Sequence, residues 1–111
     1  VSDDRSLRLW VCSQDGEWSQ SDVVPGHHSR PIYTVSWSKI HNYIATSGGD
    51  STIKILKEED NKLINVCEVT LPEGGNEINT VKWCPLENDS FLLAAGGDDS
   101  IVRIWRLNIE K

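Results

Sequence analysis

Three runs rich in β-branched and aromatic residues, Ile32 to Trp37, Tyr43 to Thr46 and Thr52 to Leu56, are separated by turn-forming residues. Runs bounded in this way predict a three-strand antiparallel meander. The same punctuation continues in both directions. Upstream, Ser6 to Val11 and Glu17 to Val24 read as strands around the polar connector Cys12 to Gly16, and Pro25-Gly26 ends the second. Downstream, strands are predicted at Leu63 to Leu71, Ile78 to Trp83, Phe91 to Ala95 and Ile101 to Leu107. The charged segment KEEDNK, between Leu56 and Leu63, reads as an exposed loop. No helical period extends beyond a single turn.

The pattern also repeats. Trp37 in TVSW returns as Trp83 in TVKW, 46 residues on. Asp50 in GGDSTIKI matches Asp99 in GDDSIVRI and, upstream, Asp4 in SDDRSLRLW. A repeat of roughly 40–45 residues with four strands per unit has the period of a WD-type propeller blade. The fold class expected is therefore all-β, a WD-repeat β-propeller. Residues 1–24 read as the tail of one blade, 25–71 as a complete blade, and 72–111 as a last blade lacking its outer strand. Rings of this kind close on themselves to protect sheet edges. The chain thus reads as about two and a half blades of a larger ring, whose opposite terminus is expected to lend the missing strand.

Composition narrows the function. The formal net charge is −6, and the 11 basic residues are scattered. Nucleic acid and anionic membrane surfaces call for grouped Lys and Arg, so neither partner is expected. The three cysteines, Cys12, Cys67 and Cys84, form no CxxC pair and are odd in number, which argues against a disulfide framework or a zinc site. Cys67 and Cys84 lie among strand residues and are expected to act as small buried apolar groups, in a reducing compartment. No metal or cofactor is implied.

His28, Thr46 and Asp50 carry the side chains of a nucleophilic triad. Their spacing favours another role. The GH pair, the S/T-x-x-x-D segment and the position six residues beyond the Asp are similar to the WD-repeat pattern. In that family His, Ser/Thr, Asp and Trp form a hydrogen-bonded chain that satisfies buried polar groups. In the second unit His28, Thr46 and Asp50 match, but Leu56 stands at the Trp position. The third unit keeps Asp99 and Trp105, with Gly74 for the His and Ala95 for the Thr; the first shows only Asp4 and Trp10. A structural network is therefore expected, and catalysis is not. His27 and His41 read as surface imidazoles. The Gly pairs at 48–49, 74–75 and 96–97 read as devices for tight turns, not phosphate cradles, and Asp3-Asp4 and Asp98-Asp99 as turn acids, not a cation site.

Loops leading into a propeller's inner strands crowd one rim, where recognition residues concentrate. Tyr33 and Asn79 each stand four residues before the inner-strand Trp; Arg30 and Glu77 precede the same strands, and Asp3, Gly49 and Asp98 precede the turn acids. Arg30, Tyr33, Glu77, Asn79, Asp98 and Asp3 are the candidate partner-binding residues, since Tyr and Arg are enriched at binding hot spots.

The segment HHSRPIYTVSWS resembles the H-S-R-x-I-Y-x-x-x-W segment of the WD-repeat subunit of the targeting complex in cytosolic iron–sulfur protein assembly. SDDRSLRLW and AAGGDDSIVRIWRL look like a strand and the closing blade of that same family. The resemblance implies the last third of a seven-bladed ring that acts as a non-enzymatic docking scaffold. It would help deliver clusters to cytosolic and nuclear apoproteins while holding no cluster itself. Implied partners are a small acidic assembly factor, a HEAT-repeat adaptor, an iron-only-hydrogenase-like assembly protein and client apoproteins. The alternatives are a WD-repeat adaptor of another pathway, such as a ubiquitin-ligase substrate receptor, and, least favoured, a hydrolase using His28, Thr46 and Asp50.

Overall fold

The computed structural model describes residues 1–71, 76–85 and 91–107. Among them are nine strands: β1 (Leu7–Cys12), β2 (Trp18–Val24), β3 (Ile32–Ser38), β4 (Tyr43–Gly48), β5 (Thr52–Glu59), β6 (Lys62–Thr70), β7 (Ile78–Trp83), β8 (Phe91–Gly97) and β9 (Val102–Leu107). They form three antiparallel meanders in chain order, β1-β2, β3-β4-β5-β6 and β7-β8-β9. Together the sheets are part of a β-propeller, all-β throughout the described residues. The strand expected to be missing after Leu107, and the Gly pair at 74–75, fall outside the described residues.

KEEDNK is not a loop. β5 runs on through Glu59 and β6 begins at Lys62, with Glu59 paired to Lys62 across the two-residue turn Asp60-Asn61. Both turn residues have positive φ, 51° and 63°, the requirement of a type I′ hairpin whose twist matches its strands. The run is charged because these strand ends sit at the outer edge of the blade, where side chains stay in water. The same exposure corrects the cysteines. Cys67 on β6, the outer strand of its sheet, is exposed and Cys84, just past β7, is half-buried.

The main core lies between the second and third sheets. Tyr43 and Ala45 of β4 and Ile53 and Ile55 of β5 meet Val81 and Trp83 of β7 and Leu93 and Ala95 of β8. Ile53 and Ile55 are wholly buried, each side chain contributing roughly 1.5–3 kcal/mol. A smaller cluster of Leu7, Ile44 and Leu56 joins the first sheet to the second. Their outer strands are joined as well: the Asp22 carboxylate on β2 accepts from the Leu63 amide on β6 at 2.7 Å.

Polar side chains close the seam between the second and third blades. β7 is an edge strand, and its free amides would be costly if left dry. The Ser36 hydroxyl on β3 accepts from the Trp83 amide at 3.2 Å, and the Ser36 carbonyl accepts from the Trp83 indole at 3.0 Å. Ser47 on β4 donates to the Ile78 carbonyl at 3.2 Å. Both inner strands carry a register shift at one residue, Tyr33 on β3 and Asn79 on β7. Such bulges turn the side chain of the extra residue away from the ladder.

Candidate functional site

The turns before β1, β5 and β9 share one construction. The carboxylates of Asp4, Asp50 and Asp99 accept from the amides two residues on, Ser6 at 2.9 Å, Thr52 at 3.2 Å and Ile101 at 3.1 Å. The residue after each Asp, namely Arg5, Ser51 or Ser100, takes positive φ, between 62° and 67°. The side-chain hydrogen bond offsets part of the cost of that backbone.

The glycines answer a different need from the one expected of them. Gly48 and Gly97 do not adopt positive φ. A Cβ at Gly48 would lie 2.1 Å from the Pro31 carbonyl oxygen, and one at Gly97 would lie 2.3 Å from that of Glu77. These carbonyls accept from the Gly49 amide at 3.1 Å and the Asp98 amide at 3.0 Å. Close backbone approach, not a tight turn, calls for glycine at both places.

In the second blade the Asp50 carboxylate is held at 2.9 and 3.0 Å by His28 Nδ1, whose Nε2 lies 2.9 Å from Thr46 Oγ1. A carboxylate accepts only, so His28 carries its proton on Nδ1 and its Nε2 accepts from the Thr46 hydroxyl. The same oxygen lies 2.9 Å from His27 Nε2. Having donated to His28, Thr46 accepts there from His27. The chain therefore runs His27 to Thr46 to His28 to Asp50, and His27 belongs to it. The surface placement expected for His27 is wrong: it is buried, its ring set edge-on to His28 at 4.9 Å. Lys54 clamps the loop from the other side by donating to the His27 carbonyl. His41 is half-buried.

This geometry has the connectivity of a nucleophile, a base and an orienting acid. It lacks access. Thr46 is 0% and His28 1% exposed, and both hydroxyl contacts are already used. Burial also lowers the basicity of both rings: His27 falls from 6.5 to about 4, and His28 falls as well despite the opposing pull of Asp50. The network ties the loop before β3 to β4 and to the β4–β5 turn.

The other blades solve the Asp turn with arginine. In the third, Arg103 Nη1 lies 2.6 Å from Asp99 Oδ2, while Trp105 packs against the main core. In the first, Arg8 Nη1 lies 2.8 Å from Asp4 Oδ2. Hydrogen bonding to Arg103 and the Ile101 amide holds the Asp99 carboxyl below the usual carboxylate range, and Ser2, Arg8 and the Ser6 amide do the same for Asp4.

The partner-binding candidates lie at one end of the blades. Tyr33 donates to Glu77 Oε1 at 3.1 Å, bridging the second and third blades, and Asn79 donates to Asp98 Oδ1 at 2.8 Å. The Arg30 side chain and Glu77 both pass beside Gly49. The bond to Glu77, with Asp3 and Asp98 nearby, raises the Tyr33 phenol above its ordinary value. Asp3, Arg30, Tyr33, Asn79 and Asp98 are exposed and Glu77 is half-buried. The bulges that aim Tyr33 and Asn79 are not legible in residue type; only the strand register shows them.

Comparison with known proteins places these features. The WD domain, G-beta repeat family matches residues 18–56 and 65–106. The chain is 37% identical over 115 residues to a protein of Vanderwaltozyma polyspora named probable cytosolic iron-sulfur protein assembly protein 1, covering 96% of this chain and 32% of that protein. Proteins with the same name from Meyerozyma guilliermondii and Eremothecium gossypii are 30% and 39% identical, over 95% and 86% of this chain. The chain spans about a third of the length of these relatives, 32% and 29% of the latter two. Two matched repeats, and an Asp turn built alike in three sheets, lead to one assignment: the chain belongs to the WD domain, G-beta repeat family.

Proposed function

We propose that this chain is part of a non-enzymatic scaffold in cytosolic iron–sulfur protein assembly, helping to deliver clusters to cytosolic and nuclear apoproteins. The observation that carries the reading is similarity over nearly the whole chain to proteins named for that process. The inaccessible Thr46 hydroxyl supports a scaffold over an enzyme.

Partners dock on the rim formed by Arg30, Tyr33, Glu77, Asn79, Asp98 and Asp3. The bulged, exposed Tyr33 offers apolar area with a polar tip, and Arg30 a planar donor fork. These partners are the other targeting-complex subunits and client apoproteins, met in the cytoplasm and the nucleus. Affinity capture of the full-length protein should recover assembly factors and iron–sulfur clients. The double variant Arg30→Glu/Tyr33→Ala should reduce that recovery by about tenfold or more. Recovery of ubiquitin-ligase subunits instead, together with normal cluster loading of clients after depletion, would overturn the assignment. Unchanged recovery with the double variant would remove the rim from it.

A further inference from the structure

The residue just before each turn acid is Asp3, Gly49 or Asp98. Two of the three sheets thus carry a carboxylate at this position, and the second carries no side chain at all. The difference is felt at the bulge of the inner strand. In the third sheet Asn79 donates to Asp98 Oδ1 at 2.8 Å, within its own sheet. Tyr33 stands at the matching bulge of β3, and with glycine at 49 its own turn offers it no carboxylate there. Its hydroxyl crosses the seam and donates to Glu77 Oε1 at 3.1 Å.

Gly49 is half-buried and its φ is not positive, so its backbone would accept a larger residue. What favours glycine is the space beside its Cα. A Cβ here would lie 3.2 Å from Arg30 Cβ, 3.5 Å from Arg30 Cδ and 3.5 Å from Glu77 Oε1. The first distance is tighter than ordinary contact and the other two are ordinary contact. A branched side chain would therefore run into the Arg30 stem or the Glu77 carboxylate. The Arg30 backbone is held on both sides and cannot retreat. The Ser29 amide donates to Asp50 Oδ2 at 3.1 Å, and the Pro31 carbonyl accepts from the Gly49 amide at 3.1 Å. The side chain of Arg30 would have to move instead. These contacts join the loop before β3, the β4–β5 turn and Glu77, and they do not depend on what covers the outer faces of the sheets. We infer that Gly49 is a positioning residue for the rim: its bare Cα lets Arg30 lie across the turn and lets Glu77 reach the Tyr33 hydroxyl, so that a partner meets Arg30 and Tyr33 at a fixed spacing. This role rests on the docking rim proposed above, and Gly49 itself touches no partner.

The test is Gly49→Val in the full-length protein, read by affinity capture of assembly factors and iron–sulfur clients. Capture should fall about tenfold, as for Arg30→Glu/Tyr33→Ala, with the melting curve unchanged. Adding Gly49→Val to that double variant should cost nothing further, because residues that act through one another are not additive. A second readout is the titration of Tyr33 in carbon-13 tyrosine-labelled protein, its signal identified by its absence in Tyr33→Phe. The midpoint, raised in the wild type by the bond to Glu77, should fall toward the ordinary tyrosine value in Gly49→Val. Gly49→Ala crowds Arg30 alone; it should melt as the wild type does, keep the raised midpoint and still lose part of the capture. Three results would each overturn the proposal: an unmoved Tyr33 midpoint in Gly49→Val, normal capture by Gly49→Val where the rim double variant loses it, or a Gly49→Val loss equally large in both backgrounds. Normal capture by every variant would instead remove the rim reading, and the Tyr33 midpoint would then decide for or against Gly49 by itself.

Discussion

Acid should loosen the second blade through His27. The folded-state value of its imidazole is about 4, against an ordinary 6.5. Between these values the unfolded chain binds a proton that the folded chain refuses, so stability falls as pH drops through that window. The full difference corresponds to about 3 kcal/mol, of which about 2 kcal/mol is already lost at pH 5. Burial is the main cause, and the neighbouring charges are His28 and Lys54, which oppose protonation, and Asp50, which favours it. His28 is shifted in the same direction and adds to the loss. His27→Gln keeps a donor for Thr46 but removes the titration. Urea unfolding of the full-length protein at pH 7 and pH 5 should show the wild type losing about 2 kcal/mol more than the variant. NMR of histidine-labelled protein should place the His27 midpoint near 4. A midpoint near 6.5, or equal pH dependence in both proteins, would refute the reasoning.

Thr46→Val should cost about 2–5 kcal/mol, because it strands His27 Nε2–H and His28 Nε2 in a buried site. Thr46→Ser keeps the hydroxyl and should cost about 1 kcal/mol in the same urea assay. Gly48→Ala and Gly97→Ala drive a Cβ onto a backbone carbonyl and should each cost about 3 kcal/mol or more. Gly96→Ala, whose Cβ would meet only the Thr80 methyl at 3.6 Å, should melt close to wild type. Asn61→Gly in the type I′ turn relieves a positive φ and should stabilise the β5–β6 hairpin by a few tenths of a kcal/mol, read as slower hydrogen exchange there.

Much of the site was legible before any coordinates. The likeness of the His28, Thr46 and Asp50 spacing to the WD-repeat pattern implied the hydrogen-bonded chain that the structure shows. His27 was not legible. It sits in a loop, where no alternation says which neighbour turns inward, and only the packing of the loop on β4 sends both rings to one hydroxyl. The glycines were found for the wrong reason, since residue type alone does not separate positive φ from a carbonyl pressing on Cα. The charged end of the β5–β6 hairpin was missed because polar strand ends at a blade's edge look like a loop.

Alternation and the spacing of turn acids determined, by themselves, the order of strands, the repeat and the family. They did so because local backbone preferences and hydrogen bonds within a turn need no distant partner. What covers each face was decided by tertiary structure. Ile55 and Ile104 hold the same place after their turn acids, yet one is 0% and the other 69% exposed. Trp37 and Trp83 differ likewise, at 47% and 8%. A strand's pattern says which side is apolar; only the neighbouring sheet decides whether water leaves it.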